Sequence, residues 1–157
     1  ESIATMPHSK GRWYAEFIVH AGADNEVPNS WTNVGIRSTA NEFGGLTSHG
    51  GQLAYGVNRY LRNVGGLRDK DVIGLAMDLT RGHLYVRHNG VWVGGSPDSG
   101  NAILPIVTDR QYVVAVEVGS PGGDYTKTDT WTGNFGSTPF HHPIPKGFEP
   151  YGGRRPK

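Results

Sequence analysis

Apolar side chains in this chain recur at every second position, and that period restricts the fold class more than any other feature. From Arg12 to His20, Trp13, Ala15, Phe17 and Val19 alternate with Tyr14, Glu16 and Ile18. From Asp71 to Leu79, the residues Ile73, Leu75, Met77 and Leu79 share one face. From His83 to His88, Leu84 and Val86 are expected inward, with His83, Tyr85 and Arg87 outward. Successive side chains of an extended chain point to opposite faces, so each segment reads as a strand with one buried face. Shorter strands are expected at Trp31–Arg37, Gln52–Asn58, Val91–Val93, Ile103–Val107, Tyr112–Val118 and Trp131–Phe135. No stretch of ten or more residues carries a capped helical stripe.

The punctuation between these segments fits hairpins. Thr80-Arg81-Gly82 is a short glycine-containing connection, and Asn89-Gly90 is the pair that best tolerates two successive positive φ angles. Asp71 to Val93 therefore reads as a three-stranded meander. Eight or nine short strands in 157 residues predict one all-β domain, an antiparallel two-sheet β-sandwich. Four connections are long: Ala21–Ser30, Ser38–Gly51, Arg59–Lys70 and Gly119–Thr130. Connections of that length tend to be functional or mobile. The glycine-rich run Gly44–Gly51 is expected to be a flexible loop. The segment from Pro143 onward, rich in proline and glycine and basic at its end, is expected to be an extended arm or the start of a linker.

Charge and composition exclude several function classes. With 15 basic and 14 acidic side chains the net charge is +1, too balanced for a nucleic-acid footprint. The absence of cysteine removes disulfides, thiolate nucleophiles and cysteine-ligated metals. No run approaches the roughly 18 apolar residues of a spanning helix, so no membrane insertion is expected.

Catalytic constellations are not apparent. Glycoside hydrolysis needs two carboxylates about 5 to 10 Å apart, which a strand would supply as alternating acidic residues on one face. The glutamates at 16, 26, 42, 117 and 149 are isolated, and Asp69-Lys70-Asp71 stands where aspartate serves a turn. His83 and His88 fall on opposite faces of one strand, and His141-His142 diverge in extended chain, so neither pair has metal-site spacing. There is no nucleophile elbow, no phosphate loop and no dinucleotide fingerprint. No catalytic residue, cofactor or metal is therefore assigned.

Several side chains suit recognition instead. Arg59, Tyr60 and Arg62 follow a short strand, and tyrosine and arginine combine large contact area with hydrogen-bond donors. Trp92 alternates with Val91 and Val93, so it is an exposed anchor if the valines face inward and a core residue if they do not. Tyr125 lies in a Gly-Asp-Tyr-Thr-Lys connection and is a further candidate contact. Trp13, Trp31 and Trp131 lie in strands and are expected in the core.

These segments, taken in order, resemble the SPRY family. Gly11-Arg12-Trp13-Tyr14-Ala15-Glu16 is similar to its opening block, Val34-Gly35-Ile36 to its Val-Gly strand and Ala54-Tyr55-Gly56 to its Tyr-Gly segment. Asp71-Val72-Ile73-Gly74 with Met77-Asp78-Leu79 resembles the central signature, continued by Leu84 to Gly90 and Leu104-Pro105. Asn134-Phe135-Gly136 with Pro139-Phe140 resembles the closing block. The resemblance implies a concanavalin-like jelly roll over residues 1–148, followed by a basic tail or linker at 149–157. It implies protein or peptide recognition by loops, with no catalytic residue or obligatory cofactor, and it places Tyr55 near a peptide-contact position. Asn89–Asn101 is more similar to SPRY modules of phage and bacterial proteins, which favours a virion or bacterial surface over the cytoplasm. The expected function is a noncatalytic module binding a protein, a peptide or a surface glycan. A decoration domain that contacts copies of itself or other virion proteins is the alternative, and a carbohydrate-active enzyme a distant third.

Overall fold

A computed structural model describes residues 2–3, 6–20, 31–40, 43–47, 52–55, 60–63, 67–102, 104–119 and 130–153. Among them the chain is all-β, with no helix. Strands β1 (Ser2–Ile3), β3 (Trp31–Ser38), β4 (Phe43–Thr47), β5 (Gln52–Tyr55), β6 (Tyr60–Asn63) and β11 (Tyr112–Gly119) form one sheet in the order β1-β11-β3-β4-β5-β6. The second sheet contains β2 (Arg12–His20), β7 (Val72–Asp78), β8 (His83–His88), β9 (Val91–Trp92), β10 (Leu104–Pro105), β12 (Thr130–Asn134) and β13 (Glu149–Pro150). Its main path is β10-β8-β7-β2-β12, with β9 beside β8 and β13 beside β2. All pairings are antiparallel except β13 with β2, which is parallel.

The alternation read from sequence places the main core. Ala15 and Phe17 of β2, Ile73, Leu75 and Met77 of β7, and Leu84 and Val86 of β8 are buried together. They meet Val34 and Ile36 of β3 and Tyr112, Val114 and Val116 of β11, so both sheets contribute to one apolar layer. Trp13 and Trp131 pack at its margin, whereas the side chain of Trp31 lies outside the described residues. The molecule is thus β-sandwich-like.

The meander is also as expected. Asn89 and Gly90 have φ of 48° and 83°, and Gly82 has φ of 72°. A Cβ at Gly82 would come within 2.5 Å of the Ile106 carbonyl oxygen, so this hairpin excludes any larger residue. Asp71 serves the turn: its Oδ2 accepts the Arg68 amide at 2.8 Å and lies 2.7 Å from His88 Nε2. Its Oδ1 accepts from Asn89 Nδ2 at 2.8 Å, while Asn89 Oδ1 accepts the Val72 amide at 2.8 Å.

Two of the long connections are partly strand. Within 38–51, β4 pairs with β3 on one side and β5 on the other, placing Gly44 opposite Ile36 and Tyr55, and Gly45 opposite Gly35 and Ala54. Glycine carries no side chain to show a period, so a strand held by ladder bonds on both edges leaves no apolar signature. The expected glycine-rich loop is therefore a strand over 43–47. Within 59–70, Tyr60–Asn63 forms an edge strand against β5, with a bulge between Leu53 and Ala54.

The chain stays in contact with the sheets past residue 148. Glu149 and Pro150 pair with Trp13 and Tyr14, and Tyr151 is buried in the main core. The Tyr151 hydroxyl donates to the Met6 carbonyl, which ties this end to the N-terminal segment. Residues 143–153 are packed on the sheets rather than extended as an arm.

Burial alone would raise the Asp71 pKa, but hydrogen bonds from Asn89, His88 and the Arg68 amide outweigh it and hold the carboxyl below its ordinary range. A depressed pKa contributes stability that is present above the unfolded value and lost as pH falls through the folded one. Asp71→Asn should lower the unfolding free energy at pH 7 by about 1–3 kcal/mol. That difference should shrink below about pH 4, in urea titrations across pH. A difference independent of pH would contradict the assignment.

Candidate functional site

The face of the second sheet that points away from the main core is not open to solvent. Tyr14, Ala76 and Tyr85 stand opposite one another across β2, β7 and β8. They are buried in a second cluster, with Trp92, Ala102, Phe140, Ile144 and Phe148 packed against them. The residues from Phe140 to Phe148 therefore form a strap across this face. The outward pattern read for Tyr85 and Arg87 is right in direction, but both are buried, Arg87 against the Pro143 carbonyl and Tyr85 beside Trp92 in the second cluster.

A polar row beside that cluster holds the strap. Glu16, Gly74, Arg87 and Trp92 are register neighbours across β2, β7, β8 and β9. Glu16 is 0% exposed. Its Oε2 accepts the backbone N–H of His141 at 2.7 Å, and its Oε1 accepts that of His142 at 3.0 Å. The Tyr14 hydroxyl donates to Oε1 at 2.9 Å and accepts from Arg87 Nη1 at 3.3 Å. Arg87 Nη1 also donates to the Pro143 carbonyl at 2.9 Å. The imidazole Nδ1 atoms of His141 and His142 each lie 3.5 Å from the carboxylate. A buried carboxylate is tolerable only when paired and hydrogen-bonded, and here a phenol relays it to a guanidinium.

Gly74 makes the row sterically possible. A Cβ at that position would lie 2.5 Å from the Tyr14 hydroxyl and 3.2 Å from Arg87 Cβ. Burial first, and then the Glu16 charge, push the Tyr14 phenol above its ordinary pKa, so it stays neutral and remains a donor.

The row ends at the surface on Trp92. The Arg87 guanidinium lies over the Trp92 ring, 4.1 Å from its centroid, and Tyr85 meets the same ring edge-on at 6.4 Å. Trp92 is half-buried, so neither alternative read from sequence describes it fully. Val93 packs against the main core, whereas Val91 is 68% exposed. The β8–β9 hairpin thus presents an exposed valine beside a fixed, partly covered indole.

The other predicted contacts lie elsewhere. Tyr55 closes β5, and Tyr60 and Arg62 belong to β6, the edge of the six-stranded sheet, not to a loop. Arg59 and Tyr125 lie outside the described residues. Trp92 belongs to the other sheet from Tyr55, Tyr60 and Arg62.

Glu16 and Arg87 were not expected to matter. The available signal lies in the expected arm from Pro143 onward, where Ile144 and Phe148 are too hydrophobic for a solvated linker. The remaining buried carboxylates are likewise structural: Asp78 accepts the Thr80 and Arg81 amides at 3.0 Å each and pairs with Arg12 at 3.0 Å. Among the described residues no three His, Asp or Glu side chains are placed to hold a metal ion. No family model matches the chain, and no curated protein matches it.

Glu16→Ala should destabilise the fold by about 3–5 kcal/mol, because it strands the Tyr14 hydroxyl and two strap amides without their acceptor and leaves the buried Arg87 charge unbalanced. Glu16→Gln, which keeps the shape, should cost less. Urea unfolding monitored by tryptophan fluorescence measures both. A loss below about 1 kcal/mol for the alanine variant would mean that the strap holds without the carboxylate.

Proposed function

We propose that this chain is a noncatalytic recognition module of the SPRY type, a concanavalin-like jelly roll that binds a protein, a peptide or a surface glycan. One observation carries the reading most directly: the β8–β9 hairpin exposes Val91 beside a Trp92 ring clamped between Arg87 and Tyr85. A pre-positioned aromatic with an adjacent arginine loses little conformational freedom on contact, which is what a binding anchor requires. The buried carboxylates Glu16, Asp71 and Asp78 are engaged in holding the strap and the turns, which supports a noncatalytic reading. The ordered blocks from Gly11 to Phe148 support the SPRY assignment, and Asn89–Asn101 supports a place in a phage or bacterial surface assembly.

Peptide and glycan arrays probed with the purified chain test this reading. Retention of a defined peptide or glycan class is expected. Trp92→Ala, or alanine at Arg59, Tyr60 and Arg62, should weaken binding at least tenfold. Each of the latter three should change stability by no more than about 0.5 kcal/mol. Hydrolysis of an arrayed glycan would overturn the noncatalytic reading. Self-assembly without retention of any ligand would favour a decoration domain instead.

A further inference from the structure

Asn89-Gly90 at the β8–β9 turn is the only asparagine–glycine pair in the chain, and the fold constrains both positions. Gly90 has φ of 83°, and a Cβ there would come within 2.9 Å of the His142 ring, so no larger residue fits. Asn89 has φ of 48°, a backbone state that asparagine accepts more readily than most residues. Both residues are exposed, so water reaches the turn. The same pair is open to a spontaneous reaction, because a following residue without a Cβ leaves its backbone nitrogen unscreened.

That reaction is deamidation. The Gly90 nitrogen gives up its proton and bonds to Asn89 Cγ, the Cγ–Nδ2 bond breaks, and ammonia leaves. Water then opens the resulting succinimide at one of its two carbonyls, leaving aspartate or isoaspartate at 89. Nothing is oxidised or reduced. The first step requires the side-chain amide to turn its Cγ toward the Gly90 nitrogen. In the folded chain both ends of that amide are held by residues of the neighbouring strand. Oδ1 accepts the Val72 amide at 2.8 Å, and Nδ2 donates to Asp71 Oδ1 at 2.8 Å. Asp71 is itself fixed by His88 and the Arg68 amide.

We propose that Asn89 is a modification site held in check by the Asp71 clamp, and that its deamidation disables the clamp that restrained it. Aspartate at 89 would set a carboxylate oxygen against Asp71 Oδ1, where a donor now stands at 2.8 Å. Isoaspartate would also lengthen the backbone between His88 and Val91, which pair across the turn. The modification therefore acts on the pairing of β9 whether or not Val91 and Trp92 contact a partner.

The test compares the folded chain at neutral pH with the same chain unfolded in guanidinium, following Asn89 by peptide mass spectrometry with fragmentation to assign the site. The unfolded chain should deamidate there roughly tenfold faster or more, since two hydrogen bonds must open first in the folded one. Equal rates would overturn the proposal without recourse to any variant. Asp71→Ala, confirmed folded by circular dichroism, should raise the folded-state rate roughly threefold or more. An unchanged rate would overturn the role of the clamp. Asn89→Asp reproduces one product of the reaction and should lower the urea midpoint. The loss should be larger at about pH 7 than at about pH 4, where one carboxyl can hold a proton and donate it to the other. An unchanged midpoint at neutral pH would overturn the disabling step.

Discussion

The architecture of the second sheet depends on one buried carboxylate. Glu16 projects from the face of β2 opposite the main core, where a simple two-layer protein would leave it in water. It is instead sealed beneath residues 140–148, with a backbone amide on each oxygen. Burying a charge is costly unless it is fully paired, so the carboxylate and the strap require each other. Remove the strap and Tyr14, Ala76 and Tyr85 lose their cover. Remove the carboxylate and the strap loses its polar anchor while Arg87, 7% exposed, loses its counter-charge.

That arrangement has consequences at the surface. Arg87 is fixed from one side by Tyr14 and the Pro143 carbonyl, and its guanidinium in turn fixes the Trp92 ring. The hairpin bearing Val91 and Trp92 is thereby coupled to the same network that closes the fold, through register neighbours on four strands. The rigidity of this surface feature originates about three strands away, at Glu16. A recognition module benefits from such pre-organisation, whereas an acid–base catalyst needs a carboxylate that substrate can reach.

Much of the fold was legible in the sequence, and the reasons differ by segment. β2, β7 and β8 announce themselves because one face of each is apolar and the period is two. Asn89-Gly90 announces its turn because few residues accept two positive φ angles. β4 was illegible because Gly44 and Gly45 present no pattern, and its existence depends on partners supplied by β3 and β5. From Pro143 onward prolines and glycines give the composition of an arm, although Ile144 and Phe148 pack against the second cluster and Tyr151 is buried in the main core. The candidate site was only partly legible. Trp92 was visible as an out-of-phase aromatic, but Glu16 and Arg87 looked like ordinary outward charges on a two-sided strand. Their burial depends on chain more than 50 residues away in sequence, as the contacts to Pro143 and His141 show.

Native-state hydrogen exchange of individual amides reads out the coupling between Glu16 and the strap. The amides of His141 and His142 should exchange only through the same large opening that exposes the amides of β7. Protection of these two comparable to that of Leu75 and Met77 is the predicted result. Exchange at the rate of an open segment, with β7 still protected, would mean that the strap opens independently of the sheet and that Glu16 does not couple them.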